Sequence, residues 1–389
     1  MTHDVGIGVV SLGWMGRLHT SAYQRLSIRY PELGIRPRLV AAADPLEENQ
    51  RAAIDQFGFE KAVAGIDEVL ADPDVDVVSI CSPNFLHKEF ALKAAAAGKP
   101  FWIEKPMGVS EAESAEIYRA ATQAGIATAV GFNYRHAPAV QHLKALVESG
   151  RLGRITNVRN WLIADYASSE QGPLTWRYST ERAGAGVVGD LLSHGIDLVS
   201  YVTGQHFNEV TAMTGIFVPE RPIPTKMGVG HGGYEIGDEM GPVENQDYVA
   251  ALARLDGGAL ATLESSRVAH GDRSDYAIEL FGTEGSARWS FHRMNEFEVQ
   301  IGDGLLEHGY TTVLCGAGHG DYERFQPGPG IPMSFDDLKT IEAKQFLSDA
   351  VLGTTEAPCA RDGLLAATVV DTMVRSAESG QWEQVPAID

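Results

Sequence analysis

The chain reads as an α/β protein: a doubly wound parallel sheet over the first third, then an α+β domain with a large, mainly antiparallel open sheet. Three observations predict this. Short apolar runs alternate with amphipathic helical stretches as far as about Val130. A glycine-rich turn, Ser11-Leu12-Gly13-Trp14-Met15-Gly16, follows the first of those runs. Beyond Gly131 the pattern changes to longer segments of alternating polarity, which suit antiparallel strands with one face covered. At 389 residues two domains are expected, 1–131 and 132–389.

Taken in order, residues 5–10 are a buried strand, and the turn after them opens a helix through Leu18, Ala22 and Leu26. Residues 38–43 form a second strand that stops at Asp44-Pro45, because proline cannot extend a hydrogen-bonded ladder. A helix is expected over 47–57, a strand over 75–80, and a helix over 86–97 opened by Ser82-Pro83-Asn84. Strands at 101–103 and 127–130 complete the set. Between them lies a helix from near Ser110, with Glu113 as its capping-box partner. Strands and helices in alternation imply right-handed crossovers.

In the second domain a helix over 138–149 precedes strands at 156–163, 247–255, 259–266 and 276–281. Asp256-Gly257-Gly258 is a hairpin turn between two of them. One sheet face carries helices, and the other is expected to cover a partner subunit, since a bare apolar face aggregates. Residues 219–242, rich in Gly and Pro, read as an irregular loop. It carries His231, Glu235, Asp238 and Glu239, which suit a solvated loop better than a ligand site. The tail reads as two helices, 335–352 and 362–379.

Composition narrows the function. Hydrophobic residues at 44% and charged residues at 21% are ordinary for a globular protein. A net charge of −21 works against nucleic acid or anionic lipid, which need clustered Lys and Arg. Cys81, Cys315 and Cys359 match no metal or redox spacing and fit a reducing cytoplasmic interior. No apolar run approaches the ~20 residues that cross a bilayer. The apolar start lacks a basic leader and a small-residue cleavage site, so it reads as a strand rather than a signal sequence.

The chemistry-bearing residues fall in two groups. Ser11-x-Gly13-x-x-Gly16 is a G-x-G-x-x-G pattern whose first glycine is serine. Gly13 allows close approach of a pyrophosphate to a helix N-terminus, and Gly16 allows the helix to pack on the strand. Serine is small, and with a negative φ the turn still forms. Taken alone, the turn also reads as a plain strand-to-helix connection. Asp44 closes the second strand where an acid can accept from a ribose 2′-hydroxyl. With no basic residue beside it, NAD is favoured over NADP. Ser82, Pro83 and Asn84 suit either a nicotinamide ribose or a helix cap. Lys105, in Glu104-Lys105-Pro106, stands at a strand's carboxyl end, where such sheets bind ligands. Glu104 is expected to fix its side chain. The second group is a glycine-rich stretch, Gly184 to Gly189, leading to Asp190 and His194. Four apart, they share one helical face and suit a general base with its orienting carboxylate. Zinc is the weakest alternative, because no further His or Cys stands at ligand spacing.

In this order the glycine turn, Asp44, Ser82-Pro83-Asn84, Glu104-Lys105-Pro106, Gly131-Phe132-Asn133-Tyr134-Arg135 and the Asp190/His194 helix resemble the glucose–fructose oxidoreductase / inositol dehydrogenase (Gfo/Idh/MocA) family. The resemblance extends to Phe281-Gly282-Thr283-Glu284-Gly285-Ser286 and to Ser376-Ala377-Glu378-Ser379-Gly380. It implies a Rossmann domain, a second domain used for oligomerisation as a dimer or tetramer, and Lys105, Asp190 and His194 as catalytic residues. It places NAD on Ser11, Gly13, Trp14, Met15, Gly16, Asp44, Ser82, Pro83, Asn84, His87, Glu104 and Lys105. With Trp176-Arg177, the pattern is most like members that oxidise pyranosides or inositols. Sugar contacts would come from Lys105, Asn133, Arg135, Trp176, Arg177, Asp190 and His194. Trp176 suits the core equally well, since tryptophan is usually largely buried. The implied reaction oxidises a secondary ring hydroxyl: His194 takes the proton, Lys105 stabilises the alkoxide and Asp190 orients the imidazole or binds a neighbouring hydroxyl. Two other classes stay open: a glycoside-cleaving enzyme using transient oxidation, and a non-catalytic NAD-binding regulator, against which the retained Lys105, Asp190 and His194 speak.

Overall fold

The computed structural model describes residues 3–226, 233–302 and 309–388. The chain divides into two compact units, one holding the residues up to Asn133 together with Ser334–Leu364, the other the rest.

In the first unit the apolar runs become a six-stranded parallel sheet. Its strands are β1 (His3–Val10), β2 (Ile35–Ala43), β3 (Lys61–Val63), β4 (Val77–Ile80), β5 (Phe101–Ile103) and β6 (Thr128–Val130). The spatial order β3-β2-β1-β4-β5-β6 reverses beside β1, the arrangement that opens a ligand crevice beyond the carboxyl ends of β1 and β4. Ile7, Val9, Val78 and Ile80 are fully buried, as strands covered on both faces require. The crossovers are α1 (Trp14–Arg29), α2 (Glu47–Ala52), α3 (Ile66–Ala71), α4 (His87–Ala96) and α5 (Glu111–Ala124).

Several local expectations change. The helix expected over 47–57 ends as a π turn, Ala53–Phe57. β3 and α3 were not anticipated, because a three-residue strand is too short to show a period. Ser110 does cap α5 by accepting from the Glu113 amide, but the Glu113 carboxylate reaches back to the amide of Val109. The helix Phe335–Leu347 packs on the first unit, although the expected boundary at 131/132 gave the whole tail to the second. Its Phe346 and Leu347 join the core of Ile7, Leu26 and Trp102. Arg25 of α1 pairs with its Asp337.

The second unit begins with α6 (Pro138–Glu148) and β7 (Ile155–Ile163). A short α7 (Thr180–Ala183) and the helix α8 (Ser193–Thr203) follow. Next come β8 (Phe207–Gly215), β9 (Glu220–Lys226), β10 (Glu235–Pro242), β11 (Tyr248–Leu255) and β12 (Leu260–Ser266). The remaining strands are β13 (Asp275–Gly282), β14 (Gly285–Ser290), β15 (Glu296–Ile301), β16 (Thr311–Leu314) and β17 (Glu383–Gln384). Among the described residues nine of them form one sheet, β16-β15-β14-β13-β7-β12-β11-β8-β17. The β7–β12 pairing is parallel and the others are antiparallel. Alternation works as expected: Val249, Ala251 and Ala253 of β11 are buried, whereas Leu252 is 51% exposed.

Within the segment expected to be an irregular loop, Glu220–Lys226 and Glu235–Pro242 are strands. β9 and β10 pair as an antiparallel ribbon with an irregular register, in which Pro222 opposes Met240 and Pro224 opposes Ile236. A two-stranded ribbon consists only of edge strands, so proline's missing donor is tolerated there. Of the acids expected in this segment, Glu235, Asp238 and Glu239 lie on β10, and His231 lies outside the described residues. No helix among the described residues is long and apolar enough to cross a membrane.

Candidate functional site

The first cluster stands at the carboxyl ends of the parallel strands. Ser11, just past β1, donates its amide to the Ala43 carbonyl at 2.7 Å. Its φ is +73°, not the negative value expected. The left-handed conformation costs a non-glycine residue roughly 1–2 kcal/mol. The turn accepts this cost because α1 must start directly over it. A Cβ on Gly16 would lie 1.9 Å from the Ser11 carbonyl oxygen. Asp44 holds the turn from below, its carboxylate accepting from the amides of Leu12 (2.8 Å) and Leu46 (3.0 Å). Each of those oxygens keeps a second lone pair.

Gly13 behaves differently from Gly16. Its φ is −63°, and an added Cβ would meet nothing within 4 Å, so packing within the protein does not demand glycine there. No side chain caps α1, which leaves its first amides for a ligand. Trp14 is 56% exposed and stacks on Phe335 at 5.8 Å, and Met15 is half-buried in the first turn. At the ends of β4 and β6, the buried Ser82 hydroxyl and the Asn133 amide nitrogen have no hydrogen-bond partner among the described residues. Asn84 is buried in the 3-10 turn that follows Pro83.

His87 and Glu104 take unexpected positions. Both ring nitrogens of His87 lie 2.9 Å from backbone carbonyls, those of Pro106 and Ser82. The ring therefore clasps two loops of the cluster together instead of offering a nitrogen outward. Burial lowers its proton affinity, against the pull of those carbonyls. Glu104, expected to fix the Lys105 side chain, points into the core. It accepts from Lys339 at 2.6 Å and meets His19 Nε2 at 2.9 Å. Lys339 also pairs with Glu342 at 2.8 Å, and His19 stacks on Trp102 with centroids 3.4 Å apart. Burial opposes ionisation of Glu104, but Lys339 and His19 outweigh it and hold the carboxyl far below its usual range. Lys105 itself is half-buried, followed by a cis peptide bond to Pro106.

The second cluster lies in the second unit. Asp190 and His194 do not sit on one regular α-helix, because residues Val188–Leu192 form a π turn that runs into α8. Such turns are frequent at functional sites because they reset which side chains face together. Its approach needs glycine: Gly186 has φ +51°, and a Cβ there would fall 2.5 Å from the Gln246 carbonyl oxygen. Gly195 is required for contact. A Cβ would lie 2.0 Å from Asn160 Oδ1 of β7, so its absence lets α8 settle on the sheet. The His194 ring meets Tyr134 edge-on at 4.9 Å, and its carbonyl accepts from the buried Tyr276 hydroxyl at 2.9 Å. Asp190 accepts from the Tyr166 hydroxyl at 3.1 Å.

The expected sugar contacts divide. Arg135 forms a two-pronged ion pair with Asp197, one turn beyond His194, and lies 4.9 Å from the Tyr201 ring. That pairing anchors its turn to α8, a task the sequence did not suggest. Trp176 is half-buried rather than a core residue. The Arg177 guanidinium lies 4.4 Å over its ring, and Asn245 donates to the Arg177 carbonyl at 3.0 Å.

Comparison with known proteins follows the same division. Residues 5–132 match the oxidoreductase family with an NAD-binding Rossmann fold, and residues 140–288 match the GFO/IDH/MocA C-terminal domain. The levoglucosan dehydrogenase of Pseudarthrobacter phenanthrenivorans is 34% identical over 99% of both chains. The chain belongs to the GFO/IDH/MocA family. Another member, the myo-inositol 2-dehydrogenase of Thermotoga maritima, is 28% identical over 72% of this chain and 73% of its own. A solved levoglucosan dehydrogenase complex with NADH and levoglucosan superposes with a TM-score of 0.92 at 32% identity, covering 99% of this chain and 100% of that one.

As a GFO/IDH/MocA oxidoreductase the protein uses NAD, and the first cluster fits it. The uncapped start of α1 and the open space at Gly13 suit the pyrophosphate, Asp44 suits a ribose, and the partnerless Ser82 hydroxyl suits a further polar contact. Three residues of these clusters gave no signal in the sequence. Tyr166, His19 and Lys339 lie 24, 85 and 235 positions from the residues they bind.

Proposed function

We propose that the protein oxidises a secondary ring hydroxyl of a small cyclic polyol to the ketone, with an anhydrosugar such as levoglucosan the first candidate and inositols the second. The observation that carries this reading is the end-to-end 34% identity with a levoglucosan dehydrogenase, over which Lys105, Asp190 and His194 are all present in this chain. NAD, when bound, accepts the hydride from the carbinol carbon. His194 takes the hydroxyl proton. Lys105 donates to the same oxygen and stabilises the charge that grows on it. Asp190 orients the imidazole or binds the adjacent hydroxyl. Asn133, through its buried amide, and the stacked Trp176–Arg177 pair supply further contacts, the indole face suiting the C–H side of a ring. The outer sheet face, where Met213, Leu252 and Leu260 are more than half exposed among paired charges, is proposed to cover a second copy in a homodimer or homotetramer. The three free cysteines suit a reducing cytoplasm.

The test is NADH absorbance on mixing the protein with NAD and levoglucosan or myo-inositol. Turnover is expected with at least one. Lys105→Ala should bind NAD normally and lose turnover by on the order of 10³-fold, as expected when a group that stabilises transition-state charge is removed. Wild-type turnover in that variant removes Lys105 from the mechanism.

A further inference from the structure

Asp190 cannot be held by its own backbone alone. It sits in a π turn, half-exposed, at the point where the helical period slips. Orienting an imidazole or a substrate hydroxyl needs one rotamer of that aspartate. One contact that bears on it comes from a different part of the chain.

Tyr166 donates its hydroxyl to Asp190 Oδ2 at 3.1 Å. The direction of the bond is fixed, because a carboxylate only accepts. The segment bearing Tyr166 leaves the end of β7 and is tied down on both sides of the residue. Before it, the Ala164 amide donates to the Ser266 carbonyl at 2.8 Å, and the Ala164 carbonyl accepts from Ala269. After it, the Ala167 amide donates to the Arg267 carbonyl at 2.9 Å, and the Ala167 carbonyl accepts from Arg221. The two arginines making these ties are themselves fully enclosed. Arg267 pairs with Asp247 at 2.7 Å and donates to Asn245, while both guanidiniums lie over the Tyr178 ring, at 4.7 and 4.4 Å. Asn245 in turn holds the Gly184 carbonyl at the start of the glycine-rich approach to Asp190. The donor and the acceptor are therefore set from the same buried base.

We propose that Tyr166 is a positioning residue for the reaction, its hydroxyl fixing the Asp190 carboxylate in the orientation that serves His194 and the substrate. The inference rests on the placement of Asp190 in the site under Proposed function. Tyr166 is 38% exposed as a whole residue. Burial, with the Asp190 charge, pushes phenol ionisation of Tyr166 well above its ordinary range. Tyr166 thus remains a donor throughout neutral and mildly alkaline pH. A lysine or histidine at this place would titrate or carry charge, and a serine would not reach. Tyrosine supplies a rigid, neutral donor with two rotatable bonds ahead of its ring and hydroxyl.

The test is a double-mutant cycle with Tyr166→Phe and Asp190→Ala, read as kcat/KM for levoglucosan or myo-inositol, whichever the unmutated enzyme turns over. Phenylalanine keeps the ring and removes only the donor. Tyr166→Phe should lower kcat/KM about 10- to 100-fold, the effect of losing one hydrogen bond to a charged group. NAD affinity and Tm should be unchanged. In the Asp190→Ala background the same change should cost nothing further, since the group it acts through is gone. Wild-type kcat/KM in Tyr166→Phe overturns the inference, and so do losses that multiply across the two sites, which mark an independent packing role. Should Asp190→Ala itself keep wild-type kcat/KM, or should neither substrate turn over, the proposed reaction falls, and this inference with it. A disabled Asp190→Ala beside an unaffected Tyr166→Phe fells the inference alone.

Discussion

The two clusters are built by different means. In the first unit five candidate side chains stand at or just beyond a strand end: Ser11 after β1, Asp44 after β2, Ser82 after β4, Lys105 after β5 and Asn133 after β6. A parallel sheet brings all those ends to one edge, so topology alone assembles the cluster. In the second unit Tyr134, Tyr166, Asp190, His194 and Tyr276 share no such rule. They are placed by a π turn, a glycine contact on β7 and the buried arginines Arg221 and Arg267. The first cluster should therefore be sensitive to what supports its strands, and the second to fine changes in packing.

The largest expected effect tests that contrast in the first unit. Lys339→Met leaves Glu104 buried without its cation and should destabilise the protein by about 3–5 kcal/mol, the usual result of breaking one half of a buried pair. Denaturant unfolding measures it. A loss below 1 kcal/mol would show that Lys105's neighbour needs no counter-charge. In the second unit, Gly195→Ala drives a methyl into Asn160 and should cost about 1–3 kcal/mol, with kcat falling more than stability because His194 moves with α8. The variant Gly195→Ala/Asn160→Ala should recover part of both, and failure to do so breaks the proposed α8–β7 contact.

A smaller effect concerns pH. Burial, working against the Glu104 contact, holds the His19 imidazole neutral down to about 4, against an ordinary 6.5. The unfolded chain therefore takes up a proton below 6.5 that the folded protein refuses until about 4. Stability should fall as pH drops through that window and should not depend on His19 above it. Tm measured across the window should decline less steeply in His19→Gln, and equal slopes would refute the assignment. The smallest structural effect is expected for Gly13→Ala. With open space at the Cβ, stability should change by under about 0.5 kcal/mol, while NAD affinity measured by calorimetry drops. Unchanged affinity would separate Gly13 from the cofactor.

Much of the first cluster was legible because strand ends and their punctuation are local: Asp44-Pro45 and Ser82-Pro83 stop strands wherever they occur. Misreadings arose where a local rule met a distant partner. Ser11 was expected at negative φ, yet its carbonyl has to lie over Gly16, and the left-handed turn follows. Glu104 looked like a neighbour for Lys105 but is drawn inward by Lys339, a residue on the helix Phe335–Leu347, which the expected boundary placed in the other domain. Arg135, read from the sequence as a sugar contact, also pairs with Asp197, a partner 62 positions away. Prolines at 222 and 224 suggested a loop, and a ribbon made only of edge strands accommodates them.

By itself the sequence determined the order of strands and helices, the edge at which the candidate cofactor residues gather, and the residue types proposed to carry the reaction. These follow from apolar periodicity, chain direction and the backbone limits of glycine and proline, all of which act over a few residues. Only the tertiary structure decided which acids are bound into the fold, where the helical period slips beside Asp190, and that the Tyr166 hydroxyl donates to it. Those outcomes depend on desolvation and on hydrogen bonds between residues tens to hundreds of positions apart, and a buried charge takes whichever partner the packing brings to it.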